Sequence, residues 1–221
     1  MTLSISFGIN GDTYQENYEY ACAGMDLALG RGGDQAVIKD REEIFYYGGN
    51  GEEIERNTRV KARVKAHALK ELMESKENVI IMAHKIPDPD AMGAAVGLYR
   101  LGVSLGRKAH IIMNEVTISV RAIVEALRKS GEYEEDMFID NETAMEITDE
   151  NTLLIVVDVN HANYTECEEL LHHTKTVVIL DHHRKSKDTV KNPVLSYVEP
   201  YASSTCEMVA EILQYVDSSQ N

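Results

Sequence analysis

The sequence lacks any run approaching the eighteen or so apolar residues of a membrane span. Its first residues, MTLSISFGINGDTY, offer neither a basic n-region nor a long apolar h-region, so no signal peptide is read. Cysteine is scarce: Cys22, Cys167 and Cys206 are far apart, odd in number and form no CxxC pair. That excludes a disulfide framework and a cysteine-based structural zinc site, and leaves three ordinary thiols in a reducing cytosol. Positive charge is short as well, with 22 Lys and Arg against 37 Asp and Glu and a net charge of −15. Such a chain repels a polyanion, which excludes non-specific binding of duplex nucleic acid. A small phosphorylated ligand stays compatible where metal ions supply positive charge locally. Internal repeats and low-complexity segments are absent, and residues 217–221 read as a polar tail.

What is present suits a folded chain: 221 residues, 43% of them hydrophobic, enough for one domain or one domain and part of another. Three stretches separate. Residues 2–8 alternate as a strand, and residues 14–29 read as a helix with Tyr18, Cys22, Met25 and Leu29 along one stripe. Gly30, Gly32 and Gly33 stop that helix. Arg31-Gly32-Gly33-Asp34 follows the helix instead of opening one, so it reads as a turn and not as a phosphate cradle. Residues 35–39 and 44–47 then read as two strands joined by the charged turn Asp40-Arg41-Glu42. Fifty residues in this pattern are too few for an independent core. Residues 52–76 read as a connecting helix, with Val60, Val64, Ala68 and Leu72 as its apolar stripe and Lys61, Arg63, Lys65 and Lys70 solvated.

From about residue 78 onward the rhythm is that of an α/β domain. Apolar, largely β-branched runs at 79–83, 109–113, 153–157 and 176–180 predict strands, with a fifth near 194–198. Helical patterns separate them at 91–105, 118–130 and 164–173. Runs without alternation predict strands buried on both faces, hence a mostly parallel sheet with helices on both faces. Ser204 and Glu207 have the spacing of a capping box and open a last helix to about Tyr215.

Three of these strands end in the same chemistry. The first runs into His84-Lys85-Ile86-Pro87-Asp88-Pro89-Asp90, another ends at Asp158, and a third at Asp181-His182-His183. In a parallel sheet the carboxyl ends share one edge, so these residues are expected to converge there. Crowded carboxylates repel one another unless cations intervene, and mixed Asp and His ligation suits divalent ions such as Mn²⁺. Pro87 and Pro89 stiffen the first loop, so that Asp88 and Asp90 can point to different places. One ion could take His84 and Asp88 and the other Asp90 and His182, with Asp158 bridging; such a pair binds phosphate oxygens and generates a hydroxide nucleophile. A lone Asp at a strand end is commonly a helix cap or turn residue. The coincidence of three such strand ends is what singles this set out. His172-His173 reads as solvated, and His67, His110 and His161 as ordinary surface or core residues.

At these residues the sequence resembles the DHH phosphoesterase superfamily: His84 to Asp90 its first motif, Asp158 its second, Asp181-His182-His183 its third. Within it the sequence more closely resembles the membrane-anchored cyclic-di-AMP phosphodiesterases of Gram-positive bacteria, GdpP type. Leu27-Ala28-Leu29-Gly30-Arg31-Gly32-Gly33-Asp34 resembles the C-terminal part of their degenerate GGDEF domain. Val159-Asn160 and Glu199-Pro200-Tyr201-Ala202-Ser203-Ser204-Thr205 also resemble that family. The resemblance divides the chain into a partial α+β GGDEF-like segment (1–50), a connecting helix (51–77) and a DHH domain (78–221). It implies two manganese ions, one held by His84, Asp88 and Asp158, the other by Asp90, Asp158 and His182. It further implies that His183 contacts the scissile phosphate and that Asp181 orients the metal-site histidine from behind. Ser203 and Ser204 are candidates for a phosphate contact, with a helix cap the stronger reading of Ser204. The implied reaction is hydrolysis of cyclic-di-AMP to pApA by metal-bound hydroxide.

The family pattern also holds membrane helices, a PAS domain and the first half of GGDEF before this stretch, and a fourth motif with an Asp ligand and a DHHA1 domain after it. The chain is therefore expected to be an interior fragment of a protein anchored at the cell membrane and facing the cytoplasm. One metal would lack a carboxylate, and activity by itself would be weak or absent. Pyrophosphate and short oligonucleotides are alternative substrates. A non-catalytic interaction or regulatory module, in which the partial GGDEF segment and the connecting helix mediate self-association as a homodimer, is the reading from another class; exposed sheet edges and apolar surface invite it.

Overall fold

The computed structural model describes residues 3–30, 33, 35–41, 43–48, 51–184 and 189–217, with 48, 51–60 and 217 given by backbone alone. Arg31, Gly32 and Asp34 of the first expected turn, Glu42 of the charged turn, the Val60 side chain and residues 218–221 of the polar tail lie outside that description. The chain divides into two units, Met1–Lys61 and Ala62–Asn221.

The smaller unit holds β1 (Ile5–Ile9), α1 (Tyr14–Gly30), β2 (Gln35–Asp40) and β3 (Glu43–Gly48). Its sheet runs β1-β2-β3, with β1 parallel and β3 antiparallel to β2. Helix α1 crosses β1 so closely that a Cβ on Gly8 would lie 1.9 Å from the Asn17 carbonyl oxygen. Only small side chains fit under such a crossing, so α1 buries Gly24 and Ala28. The expected stripe is corrected accordingly: Tyr18, Cys22 and Leu29 are exposed, and Met25 is half-buried. On the opposite face of the sheet, Ile5, Phe7 and Ile9 lie across from Ala36, Ile38 and Asp40, which lie across from Tyr47, Phe45 and Glu43.

Helix α2 (Gly51–Glu74) ends within the larger unit. There it buries Ala62, Ala66, Leu69 and Met73, whereas Val64 is exposed. The expected stripe was built from steps of four residues alone. Each such step overshoots a 3.6-residue turn by about 40°, so the row drifts off the buried face. The observed 4-3-4 spacing does not drift. Lys65, expected to be solvated, donates from Nζ to the Ser196 carbonyl at 3.1 Å.

The larger unit continues with β4 (Asn78–Met82), α3 (Pro89–Ser104), β5 (Lys108–Ile112), α4 (Arg121–Ser130), β6 (Phe138–Ile139), α5 (Asn141–Ile147), β7 (Thr152–Val157), β8 (Val177–Asp181), β9 (Leu195–Val198) and α6 (Thr205–Asp217). The six strands form one all-parallel sheet in the order β6-β5-β4-β7-β8-β9. Alternate residues divide between two cores. Val79, Ile81, Leu153, Ile155, Val157, Val178 and Leu180 pack with α2, α3 and α6. Ile80, Met82, Leu154, Val156 and Ile179 pack with Ala144 of α5 and Leu170. Both faces are thus covered, which is why the strands read as unbroken apolar runs.

Three local readings need correction. The pair β6 and α5 was not anticipated, because a two-residue strand leaves no period to detect. Helix α4 starts at Arg121, and Ile118, expected inside it, is exposed. The helix expected over 164–173 is absent; two short 3-10 turns, Ala162–Tyr164 and Glu169–His172, stand there. Between them Thr165 bridges His84, Lys85 N donates to the Tyr164 carbonyl at 3.0 Å, and Glu166 N donates to the Ala83 carbonyl at 2.9 Å. Those bonds hold the segment extended against the loop that follows β4, and an intact helix could not make them.

Candidate active site

Chain order reverses between β4 and β7: from β4 the chain builds outward through β5 and β6, then returns to β7 and builds the other way. This is the switch point of an open parallel sheet, and a crevice forms outside the carboxyl ends of the strands that flank it. His84 follows β4, Asp158 follows β7 and His182 follows β8, so three motifs distant in sequence meet at one edge.

Asp158 is the centre. It is 3% exposed, and its φ of 58° is a left-handed conformation that Asp tolerates better than most residues and that recurs at functional sites. Its carboxylate has His84 Nε2 at 3.6 Å from Oδ2, and on Oδ1 His182 Nε2 at 3.6 Å and His183 Nδ1 at 3.7 Å. These separations are too long for good hydrogen bonds and close enough for a shared cation. Thr205, fully buried at the start of α6, donates its hydroxyl to Asp158 Oδ1 at 2.9 Å. Burial pushes the Asp158 carboxyl up, but His84, the Thr205 hydroxyl and the charge of His183 outweigh it and hold the group below the usual carboxylate range. The Asp158 carboxylate in turn holds the His84 imidazole above its ordinary range, against the opposing effect of burial.

The other carboxylates have structural duties too. Asp88 caps α3, its Oδ1 accepting from Asp90 N at 2.9 Å and Ala91 N at 3.0 Å, with Pro89 preorganising the first turn. Asp90 accepts from Thr205 N at 3.0 Å and Cys206 N at 2.6 Å, so a side chain on α3 caps α6. The positive end of that helix favours the charge. Asp90 Oδ2 lies 3.6 Å from His182 Nε2. Asp181, fully buried, accepts on Oδ1 from His183 N at 3.1 Å and from His183 Nδ1 at 2.8 Å. Its partner is therefore His183, the neighbour of the histidine it was expected to orient.

Ser203 and Ser204 are both engaged at the α6 N-terminus. Ser204 Oγ accepts from Glu207 N at 3.0 Å, as the capping-box spacing implies. The Glu207 carboxylate receives the Ser203 amide and hydroxyl. Among the described residues, two sets place ligand atoms within 4.8 Å of one another: His84, Asp88 and Asp158, and Asp158, His182 and His183. Asp158 belongs to both, and mixed carboxylate and imidazole donors fit divalent ions. Sequence reasoning gave no role to Asn160 or Thr205. The one lies two residues after Asp158 and the other directly after a cap, and only the fold reveals what either touches. His172 and His173 are exposed, as expected.

Residues 78–221 match the DHH family, N-terminal domain. The chain belongs to the DHH family. It is 40% identical over 220 residues to the cyclic-di-AMP phosphodiesterase GdpP of Bacillus subtilis (strain 168), covering 97% of this chain and 33% of that protein. It is 37% identical over 218 residues to the cyclic-di-AMP phosphodiesterase PdeA of Listeria monocytogenes serotype 1/2a (strain 10403S), with the same coverage. The chain thus spans about a third of the length of these curated relatives. An exopolyphosphatase-related protein from Bacteroides fragilis shares the fold of the DHH domain, with a TM-score of 0.56 at 19% identity over 68% of this chain and 43% of that one. None of the described helices is long and apolar enough to cross a membrane.

Proposed function

We propose that the DHH domain of this chain is the metal-bearing part of a phosphodiesterase that hydrolyses cyclic-di-AMP to pApA. The carrying observation is the convergence of His84, Asp88, Asp90 and His182 around the buried Asp158 carboxylate at the sheet's switch point, in a chain whose relatives include cyclic-di-AMP phosphodiesterases. His84, Asp88 and Asp158 would hold one divalent ion, and Asp90, Asp158 and His182 the other; manganese fits this donor set. When bound, such ions supply Lewis acidity toward a phosphate and activate a water as nucleophile. Asp158 is held in its charged form by His84 and by the Thr205 hydroxyl, so the ligand common to both sites is ready for a cation. His183, anchored by Asp181, is the group for the scissile phosphate. The setting is bacterial nucleotide signalling in the cytoplasm, in a membrane-anchored protein whose degenerate GGDEF domain includes the smaller unit.

The test is incubation of the chain with Mn²⁺ and cyclic-di-AMP, with products separated by ion exchange. pApA formed faster than by Asp158→Ala supports the reading. Turnover of pyrophosphate or short oligonucleotides in preference overturns it.

A second reading, self-association, draws on the smaller unit. Ile5, Phe7 and Ile9 of β1 and Phe45 and Tyr47 of β3 share one sheet face and are all exposed. Apolar faces of this kind mark interaction sites. A dimer in sedimentation that Phe7→Ser with Phe45→Ser converts to monomer supports it, and a monomeric wild type contradicts it.

A further inference from the structure

Among the described residues Glu166 belongs to neither of the two ligand sets, yet its main chain borders His84. Thr165 pairs with His84 in an isolated antiparallel bridge. Glu166 N donates to the Ala83 carbonyl at 2.9 Å and Lys85 N to the Tyr164 carbonyl at 3.0 Å, one bond before His84 and one after it. Further along the same loop, Thr117 Oγ1 donates to the Pro87 carbonyl at 3.2 Å. A pairing this short is marginal by itself, and 3-10 turns stand on both sides of it in the sequence.

Side chains at the carboxyl ends of β5 and β6 supply the missing hold. Asn114, just past β5, donates its main-chain N to Glu166 Oε1 at 3.3 Å, and its Nδ2 donates to the same oxygen. Asn141, at the start of α5, donates its main-chain N to Asn114 Oδ1 at 3.0 Å and its Nδ2 to the Glu166 carbonyl at 3.2 Å. Three residues distant in sequence thus close a ring. The buried Asn141 Oδ1 finds no hydrogen-bond partner among the described residues. Reversing the amide would set that oxygen against the Glu166 carbonyl, so Asn141 lies the way that grips the segment. Both bonds to the Glu166 side chain fall on one oxygen, so the grip needs an acceptor there and not a charge.

We infer that Glu166, gripped by Asn114 and Asn141, is a positioning residue that holds His84 beside Asp158 for a shared divalent ion. The inference rests on the reading of His84 and Asp158 as metal ligands, and adds to it the device that places the first of them.

Two measurements on wild type, Glu166→Ala and Glu166→Gln test it. The first is amide hydrogen exchange of the ¹⁵N-labelled, metal-free chain. In Glu166→Ala the Lys85 amide is expected to lose protection while Leu154, within β7, keeps its own; Glu166→Gln, which retains the acceptor oxygen, is expected to match wild type. The second is Mn²⁺ titration followed by EPR. Glu166→Ala is expected to bind about tenfold more weakly, the lower end of what partners outside the ligand shell cost, and Glu166→Gln to recover most of that loss. Unchanged Lys85 exchange in Glu166→Ala, equal loss of protection at Lys85 and Leu154, or Mn²⁺ affinity equal to wild type overturns the inference. Absence of Mn²⁺ uptake by the wild type overturns instead the metal-site reading beneath it. Should Glu166→Ala fail to fold, Asn114→Ala, which removes the Nδ2 donor from the same oxygen, is read in the same way.

Discussion

Thr205→Val removes one hydroxyl from the centre of the site and changes little else in shape. Thr205 is fully buried and donates at 2.9 Å to Asp158, itself 3% exposed. The valine leaves that carboxylate oxygen without its buried donor. A hydrogen bond to a charged group contributes about 1.5–3 kcal/mol, so the metal-free chain should lose about that much stability. For a chain of this size the loss corresponds to a fall in Tm of about 3–12 °C. Urea unfolding followed by circular dichroism measures it, with Thr205→Ser as the control that restores the donor and recovers most of the loss. A Thr205→Val protein within about 0.5 kcal/mol of wild type would show that Asp158 does not depend on this contact. The account of how its charge is held would then be refuted.

Three further outcomes are expected. Gly8→Ala places a methyl group into the Asn17 carbonyl, and should cost about 1–3 kcal/mol by forcing α1 off β1; unchanged urea unfolding would contradict that close crossing. Asp90→Asn keeps one acceptor but sets an amide donor against the α6 N-terminus, and should cost about 1–2 kcal/mol in a metal-free urea titration; no loss would mean the cap contributes nothing. Burial pushes the Tyr197 phenol up to about 12, so the folded chain resists its ionisation. The stability this supplies is complete below about pH 10, where an unfolded tyrosine is neutral, and is lost as pH rises toward about 12. Tyr197→Phe should therefore flatten the fall of stability across that window, and an unchanged slope would contradict it.

The parallel sheet was legible because strands buried on both faces read as unbroken apolar runs; four of its six strands show as such in the sequence, and β9, half-buried in alternation, is read as a fifth. The site was legible through topology: once β4, β7 and β8 are parallel neighbours, His84, Asp158 and His182 must share an edge. Helix faces were harder. In α1 the buried side is made of Gly24 and Ala28, and in α2 Ala62 and Ala66 precede Leu69 and Met73; the small residues have too little apolar surface to draw a stripe, while the larger Tyr18, Leu29 and Val64 stay outside. The segment over 164–173 has helical spacing, but Thr165 is held by a bridge to His84 that no local pattern reveals. Thr205 and Asn160 escaped for the same reason. Each acts on a carboxylate that the fold, and not the sequence order, brings to it.

The central claim is that Asp158 and its neighbours form a site for divalent cations. Titration of the chain with Mn²⁺, with free ion followed by EPR, tests it beside Asp158→Ala and His182→Ala. Saturable uptake that Asp158→Ala abolishes and His182→Ala diminishes is the expected result. Absence of uptake, or uptake that survives Asp158→Ala, would contradict it.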